Sequence, residues 1–260
     1  MTTAEGLTAR PAGDVDGVVR RMRALAAALP PRDGVAVFNR VYLAVTEEFG
    51  ALLGGGRFAR PAVAAELAVR FADRYLGAVA ASAAGRRAPA CWRPLFQARR
   101  HPGVHPLQFA LAGVHAHIGH DLPLALVDTC RARRAEPRLL ETDFERVGEM
   151  LTGLEERIRE ELMPGPDLLD VADPLTHLVG AWSLEAARDA AWAAFRTLWG
   201  LRAFEDLTEE CAERLDAGVG LVGRCLLTPL SRCPECEWAK APGKEEPEET
   251  GKLPYRCRPR

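Results

Sequence analysis

The stretch Pro106–Arg134, PLQFALAGVHAHIGHDLPLALVDTCRARR, decides the fold. It is too long for a strand. It is also apolar on nearly every side until it reaches its histidines, the pattern of a helix wrapped by other helices rather than lying on a surface. Its last turn carries Arg131, Arg133 and Arg134, which read as a solvated helix end where cations complement the dipole.

Working outward, the same helical period recurs. Upstream, a segment from Val15 to Leu29 stops at Pro30-Pro31, and Asp33 sits where the N-cap of a second helix belongs. There Val35, Phe38, Tyr42, Val45 and Phe49 form one buried stripe, ending at Gly54-Gly55-Gly56. A third helix is predicted from Pro61 to about Ala80, with Leu67, Phe71 and Tyr75 inward, and a short element from Trp92 to Arg99. Downstream, Thr142-Asp143 reads as the N-cap of an amphipathic helix running to Met163. Asp173-Pro174 opens another that reaches Trp199 with an interruption near Gly180. The last, Leu207 to Leu230, contains Gly218, Gly220 and Gly223 and is open to being split in two. No alternating strand pattern and no Asn-Gly hairpin occurs between Val15 and Ser231. The expectation is an all-α, single-domain bundle of about seven to nine helices around a central apolar helix. Residues 1–14 are a polar N-terminus, 15–231 the helical domain and 232–260 an irregular, Cys-containing tail.

Composition narrows the partners. Apolar residues make up 48%, charged residues 27%, and the net charge is −2, so neither a nucleic-acid binder's basic excess nor a disordered chain's apolar deficit is present. Met1–Asp14 has no apolar signal core, and no run of about 18 apolar residues appears, which points to a cytoplasmic protein without a membrane segment. The odd count of seven Cys, four of them near the C-terminus, argues for reduced thiols rather than a secreted disulfide framework.

One polar cluster interrupts the central helix. His117 and Asp121 are one helical turn apart on one face, a spacing at which an imidazole and a carboxylate share a divalent ion, and His120 can join them. The plainer alternative is a buried histidine hydrogen-bonded to a neighbouring carboxylate that ties helices together. Either way an ionised Asp121 in apolar helix needs a partner. Candidates to face it lie on the later helix, where Arg188 and Trp192 are one turn apart, as are Glu185 and Asp189, in a run from Trp182 to Trp199 whose small alanines allow close approach. Asp143 and His177 are further candidates, with an N-cap and an ordinary helix start as the plainer readings.

The run Gly113-Val114-His115-Ala116-His117-Ile118-Gly119-His120-Asp121-Leu122, then Asp143-Phe144 with Arg146-Val147, then Trp182 with Ala187-Arg188 and Ala191-Trp192, resembles a largely actinobacterial helical family known only as a domain of unknown function. The resemblance spans Gly17 to Leu230 and implies no activity. It implies asparagine where this chain has His115 and again where it has Gly148. His117-Ile118-Gly119-His120-Asp121 is also similar to the His-x-x-x-Asp helix of the all-α, zinc-dependent phospholipase C and nuclease hydrolases, although the rest of their ligand set and their signal peptide are missing here.

In the tail, Cys233-Pro234-Glu235-Cys236 is a C-x-x-C knuckle that Cys257 and Cys225 could complete for structural zinc, against a redox pair or an inert tail. Cys91, Cys130 and Cys211 read as small core or surface residues.

Two functions are therefore expected. The first is a metal-assisted, hydrolase-like enzyme with His117, Asp121 and Arg188 as catalytic residues and a divalent metal as cofactor. The ion would sit on His117, Asp121 and His120, or on Cys233, Cys236 and Cys257 in the tail. The second is a non-catalytic module that binds a small apolar ligand or a partner protein, with the His/Asp/Arg cluster as a structural network. Asp143, Trp182, Asp189 and Trp192 are the expected ligand-binding residues.

Overall fold

The computed structural model describes residues 14–162 and 183–229, with side chains described up to residue 151 and again from 183. Each of several helices begins where a side chain satisfies its orphan amides. Asp14 caps α1 (Val15–Ala28) through Gly17 N at 2.6 Å, and Asp33 caps α2 (Gly34–Gly54) through Val35 N at 3.0 Å. Pro61 opens α3 (Pro61–Ala83), and the short α4 (Arg93–Ala98) follows a turn. His105 and Gln108 form a capping box for α5 (Pro106–Ala116). A π-helical turn, His117–Asp121, joins α5 to α6 (Leu122–Arg133), which closes on Arg134 in the left-handed region at φ 48°. Then come α7 (Arg138–Leu162), α8 (Leu184–Leu201), capped by Ser183, and α9 (Glu205–Leu226). Among the described residues there is no strand, and the chain is all-helical as expected.

Two boundaries differ from the sequence reading. Thr142 and Asp143 do not cap α7, which starts at Arg138 directly after Pro137; Asp143 lies inside it. The glycines of the last helix do not split it: α9 runs unbroken through Gly218, Gly220 and Gly223. Asp173, Pro174, His177, Gly180 and Trp182 lie outside the described residues.

The central position expected for the Pro106–Arg134 stretch is realised. α5 packs on α2 and α9, the π turn on α3, α8 and α9, and α6 on α3 and α8. The first contact is set by reciprocal glycines. A Cβ on Gly113 would lie 2.4 Å from the Phe38 ring, and one on Gly34 would lie 2.5 Å from Phe109, so each helix offers a flat spot to the other's phenylalanine. Around that crossing Phe38, Tyr75, Trp92, Leu95 and Met22 are fully buried, each contributing about 1.5–3 kcal/mol by leaving water. Polar ties fix the rest. Asn39 donates to the Met22 carbonyl at 2.9 Å, binding α1 to α2, and Arg99 donates to both oxygens of Asp33 at 2.8–2.9 Å, binding the end of α4 to the start of α2.

α9 also packs closely, here against backbone. A Cβ on Gly220 would sit 2.5 Å from the Ala90 carbonyl oxygen, a backbone atom that cannot swing away. Gly220→Ala should therefore cost about 1–3 kcal/mol through forced displacement. Gly77→Ala, on an exposed stretch of α3 with nothing within 4 Å, should stabilise by about 0.5–1 kcal/mol through helix propensity. Urea unfolding midpoints compare the two; equal effects would mean the α9 contact is looser than described.

Candidate functional site

The site begins with Pro123. In a regular helix its ring would collide with the Gly119 carbonyl and its nitrogen could not donate. The chain widens instead: Leu122 N–H bonds to the His117 carbonyl, five residues back, and one π turn replaces an α turn. That turn brings His117, His120 and Asp121 to one side, with residual exposures of 3%, 7% and 1%. Gly119, between them, leaves room for Val219 of α9, to which a Cβ there would stand 3.1 Å.

Asp121 is the hub. Its Oδ2 accepts from Trp92 Nε1 at 3.0 Å and from His117 Nδ1 at 3.0 Å, while Oδ1 accepts from His120 Nδ1 at 2.8 Å. Burial pushes this carboxyl up, but the hydrogen bonds from His117 and His120 outweigh burial and hold it below the usual carboxylate range. The Asp121 anion thus fixes Nδ1–H as the donor of each imidazole. On His117 burial presses the pKa down further than Asp121 lifts it, so the ring is neutral at neutral pH. Its Nε2 is then a bare lone pair, buried and without a hydrogen-bond partner among the described residues.

A second carboxylate holds the hub's surroundings. Asp216 of α9 accepts from the amides of Ala90 at 2.7 Å and Cys91 at 2.9 Å, and its Oδ1 lies 3.7 Å from His120 Nε2. It thereby fastens the turn that presents the Trp92 indole to Asp121. The Cys91 thiol, buried beside Asp121 and Asp216, is driven far above its ordinary pKa, first by burial and then by those charges.

The other side of His117 faces apolar space. Its ring stacks on Phe71, centroids 3.5 Å apart and planes 4° from parallel, with Tyr42 edge-on at 4.3 Å. Beyond lies a cavity of about 210 Å³ among α2, α3, α5, α7 and α8, walled by residues such as Phe38, Phe71, Leu111, Val114 and Phe144. Arg188 of α8 forms part of the wall. Its Nη2 donates to the Phe144 carbonyl at 2.5 Å, and the guanidinium lies 4.5 Å over the Phe144 ring. Burial lowers its pKa. A Cβ at Gly148 would come 1.9 Å from Arg188 Nη1, so this glycine, where the resemblance implied asparagine, gives Arg188 its place.

The expected residues thus separate. His117, His120 and Asp121 are brought together, and Arg188 shares the cavity with His117, but Asp121 meets Trp92 rather than a guanidinium. Asp143 touches the cavity wall while accepting from Ala59 N and Arg60 N at 2.7 and 2.9 Å, bracing the start of α3. Asp189 is exposed, and Trp192 packs on Phe195 and on the wall residue Phe144 without itself being among the described lining. Trp182, Cys233, Cys236 and Cys257 lie outside the described residues; Cys225 is exposed on α9. Sequence reasoning missed Trp92, Cys91 and Asp216. The available signal was Gly220, one turn after Asp216 and marking close approach.

Asp121→Ala strands three buried N–H donors and should lose about 3–5 kcal/mol. Trp92→Phe removes only one donor and should lose about 1–3 kcal/mol. Chemical denaturation ranks them, and the reverse order would displace Asp121 as the hub. Because the folded pKa of His117 lies below its unfolded value of about 6.5, its contribution is present above that pH and is lost as pH falls through it. A stability profile from pH 7 to 5 should fall in the wild type and flatten in His117→Gln.

No curated protein and no solved structure matches the chain. The model of one family, described only as a family of unknown function, does match, over residues 15–229, from the first residue of α1 to beyond the end of α9. The helices, the Asp121 hub and the cavity all fall within that span, and the chain belongs to this family of unknown function, DUF5995.

Proposed function

We propose that the protein binds one small, largely apolar molecule in the cavity beside His117, with His117 Nε2 accepting a hydrogen bond from the ligand's polar group. The observation that carries this reading is a buried, neutral imidazole nitrogen without a partner among the described residues, on a histidine that lines an apolar cavity. Buried acceptors are nearly always satisfied, and binding sites are typically apolar clefts with a few placed polar groups. Scaled from a cavity of about 150 Å³ that holds benzene, the space suits a ligand of about eight non-hydrogen atoms. Arg188 supplies a cation at the α8 wall for an acidic substituent, with the charges of Asp189, Glu185 and Glu145 near it. A cytoplasmic location is in keeping with the free thiols of Cys91, Cys130, Cys211 and Cys225.

A second reading is catalysis by proton transfer. It is favoured by Asp121 gripping His117 Nδ1–H at 3.0 Å, the arrangement that leaves Nε2 as a general base toward a bound molecule. An ion shared by His117 and Asp121, the hydrolase-like expectation, would have to displace those hydrogen bonds, so the pair serves as a hydrogen-bonding device.

Phenol and toluene, matched in size and differing in one donor, test both roles by calorimetry. Phenol should bind more tightly than toluene by about 3–10-fold, the worth of one hydrogen bond, and Ala68→Leu, which fills the cavity away from the polar hub, should abolish binding of both. Absence of binding by either probe at millimolar concentration removes the reading, and equal affinities remove His117 from it.

A further inference from the structure

Beside Asp121, on residues outside the cavity lining, three potential metal ligands converge. Cys91 Sγ, a His120 ring nitrogen and an Asp216 carboxylate oxygen lie within 4.8 Å of one another. His120 Nδ1 is taken by Asp121 at 2.8 Å, which leaves Nε2, 3.7 Å from Asp216 Oδ1, as the ligating atom. We infer that Cys91, His120 and Asp216 form a binding site for one zinc-class divalent cation, with Asp121 orienting His120 from behind.

The geometry fits such an ion with small adjustment. Tetrahedral zinc, with bonds of about 2.3 Å to sulfur and about 2.0–2.2 Å to nitrogen and oxygen, holds its ligand atoms about 3.3–3.6 Å apart. The 3.7 Å between His120 Nε2 and Asp216 Oδ1 is already near those values, and the 4.8 Å limit closes to them by a movement of about 1.2–1.5 Å shared between two side chains. The backbone is already tied, because Asp216 holds the Cys91 amide at 2.9 Å. Thiolate, imidazole and carboxylate together form a donor set that suits zinc. A metal-bound histidine characteristically donates its other N–H to a carboxylate, which is what Asp121 accepts.

Charge points the same way. Asp121 and Asp216 lie on either side of His120, and among the described residues neither forms an ion pair with a Lys or Arg. A divalent cation supplies the missing positive charge. Entry is open from the α9 side, where the Asp216 side chain keeps 23% of its surface while Cys91 and His120 are buried. Binding exchanges the thiol proton for the metal: the S–H bond of Cys91 breaks, the S–M bond forms, and one proton passes to solvent with no change of oxidation state. Three protein ligands leave a fourth position for water, the arrangement of open rather than closed zinc sites. The ion would join α9, the turn before α4 and the π turn.

The test uses the full chain with Cys225, Cys233, Cys236 and Cys257 changed to Ser, so that thiols near and in the tail cannot contribute. Cobalt(II) titration should give a thiolate-to-metal charge-transfer absorption saturating at one ion per chain. Zinc should displace the cobalt and raise the thermal midpoint. Cys91→Ser in this background should lose the absorption while retaining helical circular dichroism. Absence of the absorption in the Cys91-containing chain overturns the site without recourse to any variant's folding, and so does its survival in Cys91→Ser. The phenol and toluene measurements are made without metal, so this site and the cavity stand or fall separately.

Discussion

A single buried carboxylate holding three N–H donors is the constraint on which the structure of the site rests. Removed from water, the Asp121 anion is tolerable only because Trp92, His117 and His120 each give it a hydrogen bond. Those donors come from two places in the chain, the turn before α4 and the end of the central helix. Satisfying one charge therefore requires α9 to hold the turn through Asp216, and Gly220 to let α9 come near enough to do so. Local capping, close packing and the polar centre are in that sense consequences of one electrostatic demand.

The hub also gives its two histidines different characters. The His117 ring stacks among aromatic side chains and lines apolar space, whereas His120 turns its second nitrogen toward Asp216, beside Cys91. Both have Nδ1 on the same carboxylate, so the difference is made entirely by what lies at the far edge of each ring.

Much of the bundle was legible because its signals are local. The caps at Asp33 and Pro61, the stripe through Phe38 and Tyr42, and the wrapped character of Pro106–Arg134 depend on residues within a few turns of one another. The pairing of His117 with Asp121 was legible for the same reason. Trp92 and Asp216 were not, since nothing near them in sequence says that an indole or a carboxylate more than twenty-five or ninety positions away will meet the central helix. Asp143 misled because an acidic residue near a helix start looks like a cap, whereas Pro137 starts α7 earlier and frees Asp143 to grip the backbone at Ala59 and Arg60. Arg188 lines the cavity with His117 instead of facing Asp121, and its seat depends on the missing side chain at Gly148, an absence with no periodic signature.

The π turn has an effect beyond the hub. Inserting one residue into a helix rotates everything after it by about 100° about the axis. α5 accordingly addresses α2 and α9, while α6, continuing the same rod, addresses α3 and α8. The wide turn acts as a phase shifter, letting one continuous helical stretch serve as the spine of two differently oriented sets of neighbours, and a one-residue deletion inside it would turn the whole downstream half of that spine toward the wrong partners.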